Sequence, residues 1–349
     1  STRPKCKKTN RTTQIYMTMI TSFDHRHAAH CETGVASALL RYHQIDLSEP
    51  MVFGLASGLA FAYLPIIKIN GLPLLSYRLP PRMILKIFSR RINDLSIKFE
   101  KFRNPADGLK RLNEKLDQGE VVGLQTSVFF LPHFPPDMRF HFNAHNLLVY
   151  GRDGDNYCIS DPVFSHVVEI KAKDLQKARF AKGALAPKGM MYYIESAPKT
   201  IDFNHLIRKS IRFTAKSNSY RNPLPFSGLR GMHKVAKRIE KLKNDDPRYA
   251  RLFLGQIVRM QEEIGTGGAG FRYMFAAFLQ EAGDKIANEQ LKEESKIVMD
   301  IGDEWRDFAV LAARMNKQRG NQQFIDIADK LREIITLEKA MYQRLIEMV

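Results

Sequence analysis

The sequence predicts an α+β fold in its first part and an all-helical bundle in its second part. Two observations carry this prediction. Short segments rich in β-branched and aromatic residues, separated by turn residues, are concentrated in residues 121–195. From residue 232 to the end of the sequence, apolar residues recur only at helical spacing. A chain of 349 residues is also long enough for two domains of ordinary size.

The first part is expected to begin with helices and to continue as an antiparallel sheet. From Glu32 to His43, the apolar residues fall on one helical face, which predicts an amphipathic helix. A second helix is predicted from Pro105 to Leu116, with Gly119 closing it. The strand candidates are residues 14–22, 121–129, 146–151, 157–160, 166–170 and 190–195.

The boundary between the two parts is predicted near residue 196. Residues 1–195 are expected to form the α+β domain. Residues 196–231 are rich in Pro, Ser, Asn and basic residues, which is typical of a linker. Residues 232–349 are then expected to form the helical bundle.

The glycine-rich stretch GTGGAG (265–270) interrupts the helical pattern of the second part. It lacks the Lys-Ser/Thr pair of a phosphate-binding P-loop and does not follow a predicted strand. A glycine-capped break between two helices is the favoured interpretation. A contact with phosphopantetheine or with substrate is the alternative.

The charge of the chain limits the kind of partner it attracts. The formal net charge is +17, and the excess is spread over both halves. Such a surface favours an acidic partner: nucleic acid, an anionic membrane, an acidic carrier protein or an anionic substrate. No nucleic-acid motif and no stripe of aromatic residues between basic ones is found, so nucleic acid is not expected.

The cysteine content and the first residues favour a cytoplasmic protein. Cys6, Cys31 and Cys158 are too few for a disulfide framework, which indicates a reducing compartment. The sequence begins with polar and basic residues and shows no apolar core of a signal peptide. A location at the membrane periphery is compatible with the positive charge.

The most apolar stretch, VFGLASGLAFAYLPII (52–67), is too short for a membrane-spanning helix, which needs about 20 residues. Gly54, Gly58 and Pro65 also interrupt it. A buried core segment is the favoured interpretation, and a wall that faces lipid or lines an acyl chain is the alternative.

Cys31 is the first candidate for chemistry because it stands where the predicted helix starts. The positive end of a helix dipole lowers the pKa of a thiol from about 8.5 and so increases the thiolate fraction. A buried cysteine that acts only as a small apolar residue is the alternative.

A predicted hairpin supplies partners for such a thiol. The stretch NAHNLLVYGRDGDNYCISDP (143–162) contains two strand-like runs joined by an Asp-Gly turn. Pairing around this turn places His145 and Asp161 at the same end of the hairpin. A carboxylate at this position can orient an imidazole, which can take a proton from a thiol.

The chain resembles papain-like cysteine enzymes, including the bacteriocin-processing peptidases, and more closely the family named after the N-terminal domain of butirosin biosynthesis protein H. The matching blocks are HCETGVASALLRYHQIDLSEPMVFGLASGLAF (30–61), LPHF…HFNAHNLLVYG (131–151) and ISDP (159–162). The helical part, notably EEIGTGGAGFRYMFAAFLQEAG (262–283), resembles the uncharacterised helical domain that often follows that family.

The resemblance implies a cysteine-protease fold that acts as an acyltransferase. The butirosin enzyme moves an acyl group from an acyl carrier protein to an amine. Carried over by position, Cys31 is the nucleophile, His145 is the general base and acid, and Asp161 orients His145. No cofactor is expected in the protein, since the phosphopantetheine belongs to the acidic carrier protein.

The groups around the nucleophile follow the family pattern less closely. Papain-like enzymes usually carry a Gln six residues before the nucleophile as an oxyanion donor, whereas this chain has His25. An imidazole can also donate a hydrogen bond, so His25 and the backbone N–H of Cys31 are the expected donors. His30 is expected to cap the helix or support the site, and Glu32 to interact with the helix start or to recognise an amine acceptor. A purely structural role is the alternative for His30 and Glu32.

A metal site is not expected. His25, His27 and His30 are close in sequence, and His141 and His145 are four residues apart, but HFNAH is not helical and does not imply ligand geometry.

The sequence therefore predicts acyl transfer from an acidic acyl carrier protein to a small amine or, less readily, a hydroxyl acceptor. Two alternatives are a papain-like peptidase or amidase and a non-catalytic binding module. Peripheral contact with an anionic membrane is a further expectation.

Overall fold

The computed structural model describes residues 23–69, 71–264, 267–317 and 323–349. The strand predicted at 14–22 and Cys6 lie outside these residues. The helices are α1 (Cys31–Tyr42), α2 (Glu49–Leu55), α3 (Met83–Arg91), α4 (Pro105–Asp117), α5 (Ala172–Arg179), α6 (Phe203–Asn218), α7 (Gly228–Lys241), α8 (Pro247–Glu262), α9 (Arg272–Lys285), α10 (Glu289–Asn316) and α11 (Phe324–Met348). The strands are β1 (Leu59–Ile69), β2 (Leu72–Arg78), β3 (Ser96–Glu100), β4 (Val122–Thr126), β5 (His145–Asp153), β6 (Asn156–Ser160), β7 (Val168–Lys171) and β8 (Met191–Ser196).

The predicted α+β class is confirmed, because antiparallel sheets and many helices occur in the same chain. The chain divides into two compact units, and the first unit contains residues 23–47 and Leu95–Ala197. The second unit contains Ser48–Asp94 and Pro198–Val349. The structure thus corrects the predicted 1–195 domain, since residues 48–94 make most of their contacts with the helical part.

The first unit is built on a six-stranded sheet with the strand order β3-β8-β4-β5-β6-β7. Every neighbouring pair of strands is antiparallel. Strand residues alternate between the two faces of a sheet, so each strand contributes to two different environments.

One face of this sheet carries the main apolar core of the unit. Leu124 of β4, Leu147 of β5 and Met191 of β8 are buried in one cluster with Leu112 of α4 and Leu175 of α5. Helix α4 begins where predicted because Pro105 occupies its first turn and the Asn104 side chain accepts a hydrogen bond from the N–H of Ala106 at 2.8 Å.

Helix α1 contacts strands β4, β5 and β8 of the same sheet. The predicted helix is confirmed, but it is not amphipathic: every residue from Cys31 to Leu40 is buried. Small residues such as Gly34, Ala36 and Ala38 allow close approach on several sides of the helix, so the apolar stripe seen in the sequence is only part of its buried surface.

The second unit combines the β1–β2 hairpin with helices α2, α3 and α6 to α11. The helical patterning predicted after residue 232 is confirmed by α7 to α11. The predicted linker 196–231 is corrected, because it contains helix α6, whose face with Leu206, Ile207 and Ile211 is buried. The Ser, Asn and Lys content of this segment is typical of a linker, but its apolar residues are spaced so that they form one face of an amphipathic helix.

The apolar stretch 52–67 is buried only in its first part. Val52 to Leu59 are buried in α2 and at the start of β1, as the core interpretation requires. Pro65, Ile66 and Ile67 are exposed on β1, so the core interpretation is wrong for these residues.

The described part of the glycine-rich stretch forms the predicted break between two helices, α8 and α9. Gly267, Gly268, Ala269, Gly270 and Phe271 all have positive φ, a run that no right-handed helix tolerates. Residues 265 and 266 lie outside the described part. No helix within the described residues is both long and apolar enough to cross a membrane.

Candidate active site

Cys31 is the first residue of α1 and is only 8% exposed, and α1 contacts the central strands β4 and β5 of the sheet in the first unit. At Gly34 the helix is close to the segments before it and after β6, since a Cβ there would lie 2.7 Å from Cβ of Ala28 and of Pro162. The N–H of Ala28 donates to the carbonyl of Pro162 at 2.7 Å. These contacts bring the start of α1 to the end of β6.

The predicted hairpin is confirmed as β5 and β6, with Gly154 at positive φ in the turn. Asp153 pairs with Asn156 next to the turn, and Leu148 pairs with Ser160 at the far end. His145 and Asp161 are therefore neighbours at the open end of the hairpin, as predicted. Nε2 of His145 lies 2.8 Å from Oδ2 of Asp161.

His145 is held between a carboxylate and a thiol. Its ring makes hydrogen bonds to Asp161 and to Cys31, and because Nε2 faces Asp161, Nδ1 remains for the sulfur. Burial alone lowers the pKa of His145, but the charge and hydrogen bond of Asp161, together with Cys31, raise it to about 10. The imidazole is therefore charged at neutral pH.

Asp161 is fully buried and ionised. Burial alone raises its pKa, but the positive charge of His145 and a hydrogen bond from His133 lower it well below the ordinary value. The N–H of Val163 donates to Oδ1 at 3.1 Å. The carboxylate thus has fixed partners on both oxygens.

His133 is the residue that sequence reasoning missed at this carboxylate. Its Nε2 lies 2.9 Å from Oδ2 of Asp161, the same oxygen that contacts His145. Its ring also packs against the rings of Phe134 and Phe164. The block LPHF carried part of the family resemblance, yet nothing in its spacing indicated that it would return to the hairpin end.

Asn146 is a second residue without a predicted role. Its Nδ2 lies 3.8 Å from Sγ of Cys31, and its Oδ1 accepts a hydrogen bond from the hydroxyl of Tyr192 at 2.9 Å. Tyr192 fits there because Gly123 on the neighbouring strand has no side chain: a Cβ would lie 2.3 Å from the Tyr192 ring. The amide is fixed by this bond and by its own donation to the carbonyl of Ala144 at 3.1 Å, and Nδ2 also faces the sulfur.

His25 is not placed as the predicted oxyanion donor. Its Nε2 donates to the carbonyl of Phe164 at 2.9 Å, and its Nδ1 contacts Oγ of Ser160 at 2.8 Å. Both ring nitrogens are therefore used to hold the segment after β6, and the role suggested by its sequence position is wrong for this conformation. The second predicted donor, the backbone N–H of Cys31, stays a prediction.

His30 and Glu32 flank the cysteine and are both buried. His30 precedes α1 at the cap position, where its side chain makes no cap bond to the helix backbone and instead contacts Oγ1 of Thr33 at 3.0 Å. This contact supports the local fold. Burial raises the pKa of Tyr192, and the charge of Glu32 raises it further.

The remaining histidines do not converge on a metal site. His141 stacks on the ring of Phe129 at 4.1 Å, away from the carboxylate that binds His145. In the part of the chain that the structure describes, no group of three His, Cys, Asp or Glu side chains could hold a metal ion.

Comparison with known proteins identifies two family models on this chain. Residues 30–162 match the model described as butirosin biosynthesis protein H, N-terminal. Residues 173–345 match a domain of unknown function, DUF4872. The family predicted from the sequence blocks and the helical domain predicted after it are therefore confirmed.

The family boundaries do not follow the two compact units. Residues 48–94 lie within the first match but pack in the second unit, while α5 and β8 lie within the second match and pack in the first.

Among solved structures, one that resembles this chain is described as a C39-like peptidase from Bacillus anthracis. It shares 13% identity and a TM-score of 0.36, and the match covers 51% of this chain and 98% of that chain. No curated protein matches this chain.

Proposed function

Residues 30–162 match the model described as butirosin biosynthesis protein H, N-terminal, and we propose that this chain is a papain-like cysteine enzyme that acts as an acyltransferase. It moves an acyl group from an acyl carrier protein, or another thioester, through an acyl-Cys31 intermediate to an amine or hydroxyl acceptor. The observation that carries the proposal is the chain of contacts from Cys31 to His145 to Asp161.

In the first step, Cys31 attacks as a thiolate. Its sulfur forms a bond to the thioester carbonyl carbon, and the bond between that carbon and the phosphopantetheine sulfur breaks. The departing sulfur takes the proton from Nδ1 of His145 and leaves as a thiol. Asp161 stabilises the charged imidazole before this step and keeps its ring in place.

In the second step, the acceptor attacks the acyl group on Cys31. The nitrogen or oxygen of the acceptor forms the new bond to the carbonyl carbon while His145 takes its proton. The bond from carbon to Cys31 then breaks and restores the thiolate and imidazolium. Over the two steps the enzyme returns to its starting protonation state, and the acyl donor and the acceptor are the only reactants.

The oxyanion formed in each step needs hydrogen-bond donors. Asn146 is the side chain suited to this role, because its Nδ2 lies near the sulfur and Tyr192 fixes its orientation. We therefore assign to Asn146 the role that sequence position had suggested for His25, with the backbone N–H of Cys31 as the second donor.

Three features favour transfer from a carrier over peptide hydrolysis. Cys31, His145 and Asp161 are all buried, which limits the access of water to an acyl-enzyme. The charge of +17 attracts an acidic carrier protein. Residues 30–162 also match a family named after a biosynthesis protein.

The test is the intact mass of the protein after mixing with acyl-carrier thioesters that bear short, long and aromatic acyl groups. We expect a mass gain equal to one acyl group in the wild type and in Cys158→Ala, a matched control that removes the other buried cysteine. Cys31→Ala should gain no mass. Addition of amines should then release the acyl group as an amide.

Two other results would contradict the acyltransferase proposal and establish a different function. Cleavage of peptides that depends on Cys31, without acylation by thioesters, would establish a peptidase or amidase. Slow labelling of Cys31 by iodoacetamide, at the rate of an ordinary thiol, with no product from either substrate would establish a binding module.

A further inference from the structure

One continuous segment of the second unit has no acidic residue. Between Pro50 and Asn93 the sequence contains no Asp or Glu but six basic residues: Lys68, Arg78, Arg82, Lys86, Arg90 and Arg91. The segment includes the β1–β2 hairpin and helix α3. Lys68, Lys86 and Arg90 make no ion pair within the described part of the chain. This concentration of positive charge is not needed for internal pairing.

The outer end of the hairpin exposes large apolar side chains. Every residue from Pro65 to Ile69 is exposed, with 93% of Ile66, 50% of Ile67 and 45% of Ile69 accessible. Ile66 and Ile67 lie where the pairing with β2 is irregular, between the pairs Leu64–Leu74 and Lys68–Pro73. These apolar side chains are therefore presented to solvent and are not packed against β2.

Helix α8 extends the same surface. The side-chain amide of Gln256 donates to the carbonyl of Pro73 at 2.8 Å, and the ring of Phe253 contacts that of Tyr63. On this helix Arg248, Arg251 and Leu252 are exposed, and no acidic residue occurs between Pro247 and Gln261. Basic and apolar groups thus continue from the hairpin onto the adjoining helix.

We propose that the exposed part of β1, residues 65–69, inserts into the headgroup region of a membrane rich in anionic lipids. Ile66, Ile67 and Ile69 enter the boundary of the acyl chains, while Lys68 and the arginines of α8 contact the lipid phosphates. A lipid layer offers an apolar region for the isoleucines and phosphates for the basic residues on one surface. This makes the protein a peripheral membrane protein without a spanning helix.

The same observations disfavour a second copy of the chain as the occupant. A second copy on this surface would bring the same basic residues of both copies together without acidic partners. The combination of exposed isoleucines with basic residues therefore points to an anionic lipid surface.

The test is co-sedimentation of the full chain with vesicles of phosphatidylcholine alone and of phosphatidylcholine mixed with phosphatidylglycerol. We expect binding to the anionic vesicles that weakens as salt is added. The double variant Ile66→Ser/Ile67→Ser should weaken that binding by at least about tenfold, since both side chains lose apolar area. Lys68→Gln should weaken it by roughly fivefold, the effect of one basic residue near an anionic surface.

The matched controls are Ile325→Ser and Leu337→Ser, which remove exposed apolar side chains from α11. They should bind like the wild type, and all variants should keep the wild-type melting temperature. The proposal is overturned if the wild type does not bind anionic vesicles, or if the hairpin variants bind as the wild type does. It is also overturned if Ile66→Ser/Ile67→Ser converts a dimer into a monomer while vesicle binding is unchanged.

Discussion

Asp161 in the first unit and Glu338 in the second are both buried carboxylates with several hydrogen-bond donors, yet their partners differ in kind. Asp161 accepts from two imidazoles, which can change protonation state, and one of them continues to the sulfur of Cys31. Glu338 accepts from Arg272, whose charge is permanent, and from two neutral groups.

Each carboxylate oxygen of Glu338 accepts two hydrogen bonds. Arg272 donates to both carboxylate oxygens at 2.8 and 3.2 Å, the indole of Trp305 donates at 2.7 Å and the hydroxyl of Tyr342 at 3.1 Å. The guanidinium also donates to the carbonyl of Gly270 and lies over the indole ring. These bonds join α9, α10 and α11, so the cluster holds three helices of its unit together.

The difference is the reason for proposing a reaction at the cluster around Asp161 and a structural role for the cluster around Glu338. Burial and charge are common to both. What distinguishes Asp161 is a partner that can accept and release a proton and that also contacts a reactive atom. Removing each carboxylate should therefore affect different properties of the protein.

Asp161→Asn should have the largest effect, and it should act on the reaction. Loss of the negative charge removes the group that stabilises the charged form of His145, so acylation of Cys31 should slow by about 10²–10⁴-fold. The measurement is the rate of acyl-enzyme formation by mass spectrometry. The control is Asp153→Asn, a change at the exposed turn of the same hairpin, which should leave the rate unchanged. A wild-type rate in Asp161→Asn would remove this carboxylate from the mechanism.

Glu338→Gln should act on stability. It leaves the Arg272 charge buried without a counter-ion, which costs about 3–5 kcal/mol of unfolding free energy. Denaturant unfolding of the full chain measures this loss. The control is Glu293→Gln, which breaks the exposed pair with Lys296 and should cost less than about 1 kcal/mol. Equal losses in the two variants would contradict the structural role assigned to the buried pair.

The sequence was sufficient for the local parts of the site. The Asp-Gly turn determined the hairpin, and pairing around it placed His145 beside Asp161. The start of α1 at Cys31 could likewise be predicted from the apolar pattern. Each of these features depends on residues close in sequence, so local propensity and periodicity determine them.

Features that depend on distant contacts could not be predicted. His133 lies 28 residues before Asp161, in the segment between β4 and β5, and no local pattern indicates their contact. Helix α6 was not predicted because the polar composition of its segment indicated a linker. The packing of residues 48–94 with the helical unit could not be predicted either, because no local sequence pattern indicates it. Such outcomes follow from tertiary packing, which overrides the composition of a segment.

The reactive cluster should also give a pH-dependent contribution to stability. The pKa of His145 is raised in the folded state, so its contribution is complete below its ordinary pKa and is lost as the pH rises toward about 10. The pKa of Asp161 is lowered, so its contribution is present above its ordinary value and is lost as the pH falls below it. The cluster should therefore stabilise most between these two ordinary values.

The unfolding free energies of the wild type and Asp161→Asn measure this contribution. Their difference should be larger near about pH 5 than near about pH 9, by an amount on the order of 2 kcal/mol. The corresponding difference for Glu338→Gln should stay constant over the same range, because Arg272 remains charged throughout. A constant difference for Asp161→Asn would show that Asp161 does not raise the pKa of His145 in the folded protein.

The smallest predicted effect concerns His133, which positions the Asp161 carboxylate and does not touch the sulfur. His133→Phe keeps an aromatic ring against Phe134 and Phe164 but removes the hydrogen bond to Asp161, so acylation should slow by about tenfold. Because that hydrogen bond lowers the pKa of Asp161, the acidic limb of the pH–rate profile should move to higher pH. His133→Gln, which keeps an N–H donor, should restore most of the rate and of the profile. A slower rate with an unmoved acidic limb would instead mean that His133 only fills space, because loss of packing does not change the protonation of the carboxylate.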